Sequence, residues 1–153
     1  MNSPAPRVAT PADAATVARL LDAFNREYQT PTPGPEVLAT RLRRLLSGTD
    51  VVAVLAGDPA VAVALLTLRP NIWHDGPVGL VDELYVAPEV RGHGIGSALL
   101  AAVESITRER GGRLIEIAVD GADIDARRFY ERHGYTHTEA GQDQPSFYYH
   151  RAI

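Results

Sequence analysis

The chain reads as an α/β protein of the α+β kind, one mixed sheet flanked by helices, and three observations predict this. Its 153 residues, 45% of them hydrophobic, suffice for one packed core without long linkers. Its apolar residues fall either on helical stripes or in short runs rich in valine and leucine. These segments follow in the order strand, two helices, three strands, helix, strand, helix, two strands, which gives seven strands and four helices. No internal repeat breaks the order, so residues 1–6 are expected to be a short polar tail and 7–153 one domain.

Each element has a local cause. Thr10-Pro-Ala-Asp13 combines an N-cap hydroxyl, a proline at the first helical position and an acid in the first turn, ahead of the stripe Val17, Leu20, Leu21, Phe24, Tyr28. The break Thr30-Pro-Thr-Pro-Gly-Pro35 ends that helix, and Leu38, Leu42, Leu45 and Leu46 mark a second one stopping near Gly48. Residues 51–56 and 60–68 flank Gly57-Asp58-Pro59 and read as an antiparallel hairpin. A loop over 70–77 carries Trp73 and His74, and a strand over 79–86 follows. The helix over 97–110 has Ile95, Leu99, Leu100, Val103 and Ile106 on one side and ends at Gly111-Gly112. A buried strand over 114–119, a helix over 123–133 closed by Gly134, and a final strand pair over 135–139 and 146–151 complete the chain.

The most telling stretch joins the strand over 79–86 to the third helix through Arg91-Gly-His-Gly-Ile-Gly96. Without Cβ atoms, Gly92, Gly94 and Gly96 are expected to take positive φ and to let the backbone approach a ligand. The positive end of the helix dipole faces the same loop, so a phosphate is the expected guest. Neither a Gly-Lys-Ser/Thr phosphate loop nor a Gly-x-Gly-x-x-Gly dinucleotide turn is present.

This loop, preceded by Leu84-Tyr-Val86 and followed by Ala126-Arg-Arg-Phe-Tyr-Glu-Arg-His-Gly-Tyr135, resembles the GNAT superfamily of acetyl-CoA-dependent N-acetyltransferases. The family's Arg/Gln-x-x-Gly-x-Gly/Ala pattern is met by Arg91, Gly94 and Gly96. Its late Phe-Tyr-Glu-x-x-Gly-Phe pattern is met over 129–135, with Tyr135 as the changed aromatic. The resemblance implies a GNAT-like, mostly antiparallel sheet splayed between the strands at 79–86 and 113–119. It places the pantetheine arm of acetyl-CoA beside Leu84, Tyr85 and Val86, and the pyrophosphate over Arg91, Gly92, His93, Gly94, Ile95, Gly96 and Ser97. His93 is expected to contribute its backbone. The Val86 N–H, freed by a local bulge, is expected to polarise the thioester carbonyl. Asp123, Ala126, Phe129, Tyr130 and Arg132 complete the implied cofactor set, although Asp123 stands where the family has asparagine and is read first as a helix cap.

Acetyl transfer to an amine requires loss of a proton from a group whose reference pKa is roughly 10.4. Strand alternation sends the neighbouring acids Asp82 and Glu83 to opposite faces, so one alone is expected to reach the cleft. Resemblance to polyamine-type members favours Asp82, with Glu83 the competitor. Family members with the Phe-Tyr-Glu pattern use that tyrosine as general acid toward the departing thiolate of CoA, which assigns the role to Tyr130. Phe24, Tyr28, Trp73, His74 and Tyr148 are candidate walls of the acceptor pocket.

Composition narrows the partners. A net charge of −4 argues against a nucleic-acid surface and suits a cationic small molecule or peptide amine. With no cysteine there is no acyl-enzyme thiol or disulfide, which fits direct transfer in a ternary complex and a cytoplasmic setting. His133 and His137 straddle Gly134 and lack helical metal-ligand geometry, so no metal is expected. No run is apolar enough to span a membrane. The strand carrying Phe147, Tyr148 and Tyr149 is a candidate homodimer surface. A non-catalytic CoA-binding or interaction module on the same fold is the competing class.

Overall fold

The structure is a computed structural model that describes residues 5–153. The chain forms two units, one through Ile117 and one from Ala118 to Ile153. The first contains β1 (Arg7–Val8), α1 (Ala14–Glu27), α2 (Pro35–Leu45), β2 (Val51–Gly57), β3 (Ala60–Arg69), β4 (Val78–Val86), α3 (Ile95–Glu109) and β5 (Leu114–Ile117). Its sheet has the order β1-β2-β3-β4-β5, antiparallel throughout except for the parallel β4–β5 pair.

The start of α1 follows from its sequence. A short 3₁₀ turn at Pro11–Asp13 precedes it, and the Thr10 N–H donates to Asp13 Oδ2 at 2.8 Å. Arg7 grips the same carboxylate with two bonds and, with Thr10, holds Asp13 well below the usual carboxylate range. On one face of the sheet, Val17, Leu20 and Leu21 of α1 and Leu42 of α2 pack with Leu55, Val63 and Tyr85. Strand alternation turns Ala62, Ala64 and Leu66 of β3 to the other face, all buried, where α3 buries Leu99, Leu100 and Val103. The helix comes close there: a Cβ on Gly79 of β4 would lie 2.5 Å from Thr107 Oγ1 of α3.

The second unit holds α4 (Ile124–Arg132), capped by Asp123, whose Oδ1 accepts the Ala126 N–H at 2.9 Å. The sheet has five strands rather than the expected seven. Residues 135–139 and 146–151 form no strand pair, and Thr138 and Pro145 share an isolated bridge. Every residue over 139–153 is exposed, so neither stretch has a buried face to set a register. β5 likewise ends at Ile117, two residues short of the expected strand over 114–119. Among the described residues no helix is long and apolar enough to cross a membrane.

Candidate functional site

β4 is paired on both sides only in its first half. Its parallel partner β5 accompanies it from Val78↔Leu114 to Val81↔Ile117, whereas β3 follows it to Val86. Ala87 N–H donates to Val61 O at 2.9 Å, so the alternation of antiparallel bonds turns the N–H and C=O of Leu84 and Val86 away from β3. The result is an open strand edge over 84–86.

That edge leads into the glycine loop. Gly92 and Gly94 take φ of 79° and 80°, as expected, and a Cβ on Gly92 would meet nothing within 4 Å. Gly96 departs from expectation: it lies inside α3, which begins at Ile95, and has no positive φ. The internal ladder of α3 starts with Ala98 N–H to Gly94 O, so the N–H groups of Ile95 and Gly96 precede it at the positive end of a 15-residue helix. His93 Nδ1 lies 3.2 Å from Val90 O, which keeps the ring against its own loop.

Arg91 is engaged within the protein. Its two terminal nitrogens meet the Glu27 carboxylate at 2.7 Å each, and its Nε donates to Val86 O at 2.8 Å. The guanidinium thus ties the end of α1 to the end of β4 and raises its own pKa through Glu27. Beside it Phe24 stacks on Tyr85 with ring centres 5.3 Å apart, and Tyr28 meets Phe24 edge-on. Phe24 therefore packs α1 onto β4, while Tyr28 remains exposed. Burial, with help from Glu27, pushes the Tyr85 phenol up.

The acidic pair corrects the expectation of strict alternation. β3 pairs Leu65 with Glu83 and Leu66 with Val81, leaving Asp82 as the extra residue of a bulge. Thr67 Oγ1 donates to Asp82 Oδ2. Leu65 and Thr67 are two apart on regular β3 and share the face covered by α1 and α2, so both carboxylates belong to that one face. Glu83 is half-buried, and burial raises its pKa, with the Asp82 charge adding to the rise. The bulge also sits four residues upstream of the expected place: Val86 remains in register with Ala62.

Glu27 and Thr67 went unnoticed in the sequence because their partners lie 64 and 15 residues away and neither occupies a motif position. The structure brings residues 82–86 and 91–97 onto one strand and the loop that leaves it. Trp73 and His74 stand on the β3–β4 loop, both exposed. In the second unit α4 carries Ala126, Phe129, Tyr130 and Arg132. Tyr130 is edge-on to Phe129 and Tyr135 at 5.1 and 5.8 Å, and the Arg132 guanidinium lies 6.0 Å from the Phe129 ring centre. Tyr148 is exposed and stacks on His150.

Residues 17–135 match the acetyltransferase (GNAT) family, and the chain belongs to the GNAT superfamily of N-acetyltransferases. A solved protein from Arthrobacter sp. FB24, described as an acetyltransferase, is 57% identical and superposes with a TM-score of 0.92 over 97% of this chain and 95% of its own. Aminoglycoside N(6')-acetyltransferase type 1 from Stenotrophomonas maltophilia is 35% identical over 90% of each chain. Aminoalkylphosphonate N-acetyltransferase from Salmonella typhimurium is 37% identical over 81 residues, 53% of each chain.

Proposed function

We propose that this enzyme moves the acetyl group of acetyl-CoA directly onto a primary amine of a small molecule or peptide, within a ternary complex. The observation that carries the reading is the continuity of the open β4 edge with the glycine loop, next to two carboxylates on one sheet face. The fit to the donor rests on chemistry the chain displays: outward N–H groups at Leu84 and Val86 suit an amide-bearing arm, and the start of α3 beside an open Gly92 suits a diphosphate. Acetyl-CoA supplies an activated thioester.

The residues divide the remaining work. The outward Val86 N–H is placed to polarise a carbonyl. Arg91, engaged with Glu27 and Val86 O, serves as a brace for the loop more than as a phosphate clamp. Arg132, with Ala126 and Phe129 on α4, and the backbone of His93 and Ser97 complete the proposed contacts, while Asp123 acts as a cap. The Asp82–Glu83 pair attracts an ammonium, and Glu83, half-buried and with its pKa raised by that burial, accepts its proton, while Asp82 stays oriented by Thr67. Tyr130 returns a proton to the departing thiolate, an assignment supported by the Phe-Tyr-Glu pattern and by phenol chemistry.

The test is thiol release from acetyl-CoA across polyamines, aminated sugars, amino acids and peptide N-termini. Amine-dependent release that falls roughly 10²- to 10⁴-fold in Tyr130→Phe supports the reading. Calorimetric binding of acetyl-CoA without release for any amine would favour a binding module instead.

A further inference from the structure

A pocket of about 380 Å³ opens at the far end of the same sheet face, away from the glycine loop. Arg69, Ile72, Trp73, Val78, Leu114 and Glu116 form its walls. On β3 the apolar core beneath α1 and α2 ends at Leu65; beyond it Thr67 is half-exposed and Arg69 exposed. Arg69 is two residues past Thr67, which holds Asp82, so the pocket starts about 7 Å along the strand from the acidic pair.

The loop that lines the pocket is built to hold an indole outward. Asn71 Oδ1 accepts the N–H groups of Trp73 and His74 at 2.9 and 3.0 Å, and its Nδ2 donates to Gly76 O at 2.7 Å. Gly76 is seated so tightly that a Cβ there would lie 1.9 Å from Gly111 O. On this pinned loop Trp73 is 80% exposed and Ile72 87% exposed. Two large apolar side chains presented to water on an ordered backbone mark a recognition surface.

Of the polar side chains that line the pocket, Arg69, Asn71 and Glu116 are engaged, and His74 is exposed. Arg69 pairs with Glu116 at 3.2 Å, and Asn71 is spent on its own loop. What remains for a guest is the His74 ring and, over most of the surface, the apolar wall of Ile72, Trp73, Val78 and Leu114. A polyhydroxylated body would find few hydrogen bonds there, whereas a planar apolar body could lie against the indole.

We infer that this pocket takes the body of the acceptor, and that the acceptor is an elongated amine carrying an aromatic or other apolar ring a short spacer from its nitrogen. The inference rests on the reading of Asp82 and Glu83 as the amine-binding end. Chemically, the bound ammonium gives one proton to the carboxylate, the neutral nitrogen attacks the thioester carbonyl, and as the carbon–sulfur bond breaks the enzyme's acid protonates the leaving thiolate and is restored by the second proton of the acetylated nitrogen.

Trp73 is the sole tryptophan of the chain, so indole emission reports on this pocket alone. The intact protein is titrated with 4-phenylbutylamine, n-butylamine and glucosamine, following Trp73 emission and, with acetyl-CoA, thiol release. The expected result is a saturable emission change with 4-phenylbutylamine only. Its kcat/KM should exceed that of n-butylamine by roughly three- to tenfold, a ratio that collapses toward one in Trp73→Ala. Emission that stays constant while 4-phenylbutylamine saturates turnover, a ratio that survives Trp73→Ala, or a preference for glucosamine overturns the inference. An emission response without acetylation of any amine sinks the transfer reading and leaves the pocket standing; silence in both measurements overturns both.

Discussion

The two units of this chain differ in what holds them. Among the described residues, all buried side chains belong to the unit ending at Ile117, and none to residues 118–153. The first unit has a two-faced sheet with helices on both sides, and the parts proposed to bind the donor and the amine grow from that core. The second has one capped helix and a single bridge, yet it carries the tyrosine assigned as acid. The contrast teaches that binding and proton return need not draw on the same stability: one rests on dense packing, the other on a short helix rich in arginine and aromatics.

The comparison breaks most visibly under core truncation. Leu99→Ala, at a fully buried position of α3, should destabilise the fold by about 2–5 kcal/mol in a denaturant titration. A loss below 1 kcal/mol would mean the first unit is less tightly packed than described.

Next in size is the acidic pair. The folded protein binds the Glu83 proton more tightly than the unfolded chain, so this residue opposes folding as pH rises from its ordinary value of 4.5 to its raised one, and the penalty is complete above that. Glu83→Gln should therefore be more stable than the parent at neutral pH while losing most of its turnover. In the parent, the acidic limb of kcat/KM should inflect above the ordinary glutamate range, and in Asp82→Asn it should move to lower pH because the neighbouring charge is gone. An unmoved limb would remove Glu83 from the mechanism.

Smaller still is Glu27→Gln. The pair with Arg91 is partly solvated, so thermal stability should change by less than about 1 kcal/mol. The KM for acetyl-CoA should rise more than kcat falls, because the brace on the loop is weakened; equal effects on both would point elsewhere. Least of all, Phe147→Ala in the second unit should shift stability by less than about 0.5 kcal/mol, and a core-sized loss would erase the distinction between the units.

What the residues disclosed in advance follows the range of the forces involved. The start of α1, the β2–β3 hairpin, the loop glycines at 92 and 94 and the Asp123 cap are set by neighbours a few positions away, and all were readable. The bulge at Asp82 was not, because an unpaired residue is defined only against its partner strand; alternation alone put the two acids on opposite faces. The Arg91 salt bridge was hidden for the same reason, since Glu27 lies 64 residues away on α1. The absence of the final strand pair was not legible, because a strand needs a covered face and sequence does not disclose that Phe147 and Tyr149 lie exposed.

The tight seat of Gly76 against Gly111 has one more consequence. α3 opens at the glycine loop and closes at the turn on which the tryptophan loop rests, so a rod about 22 Å long separates the two places where guests are proposed to enter. Its length acts as a gauge. Adding or deleting a residue within it would rotate the glycine loop against the turn that seats Gly76.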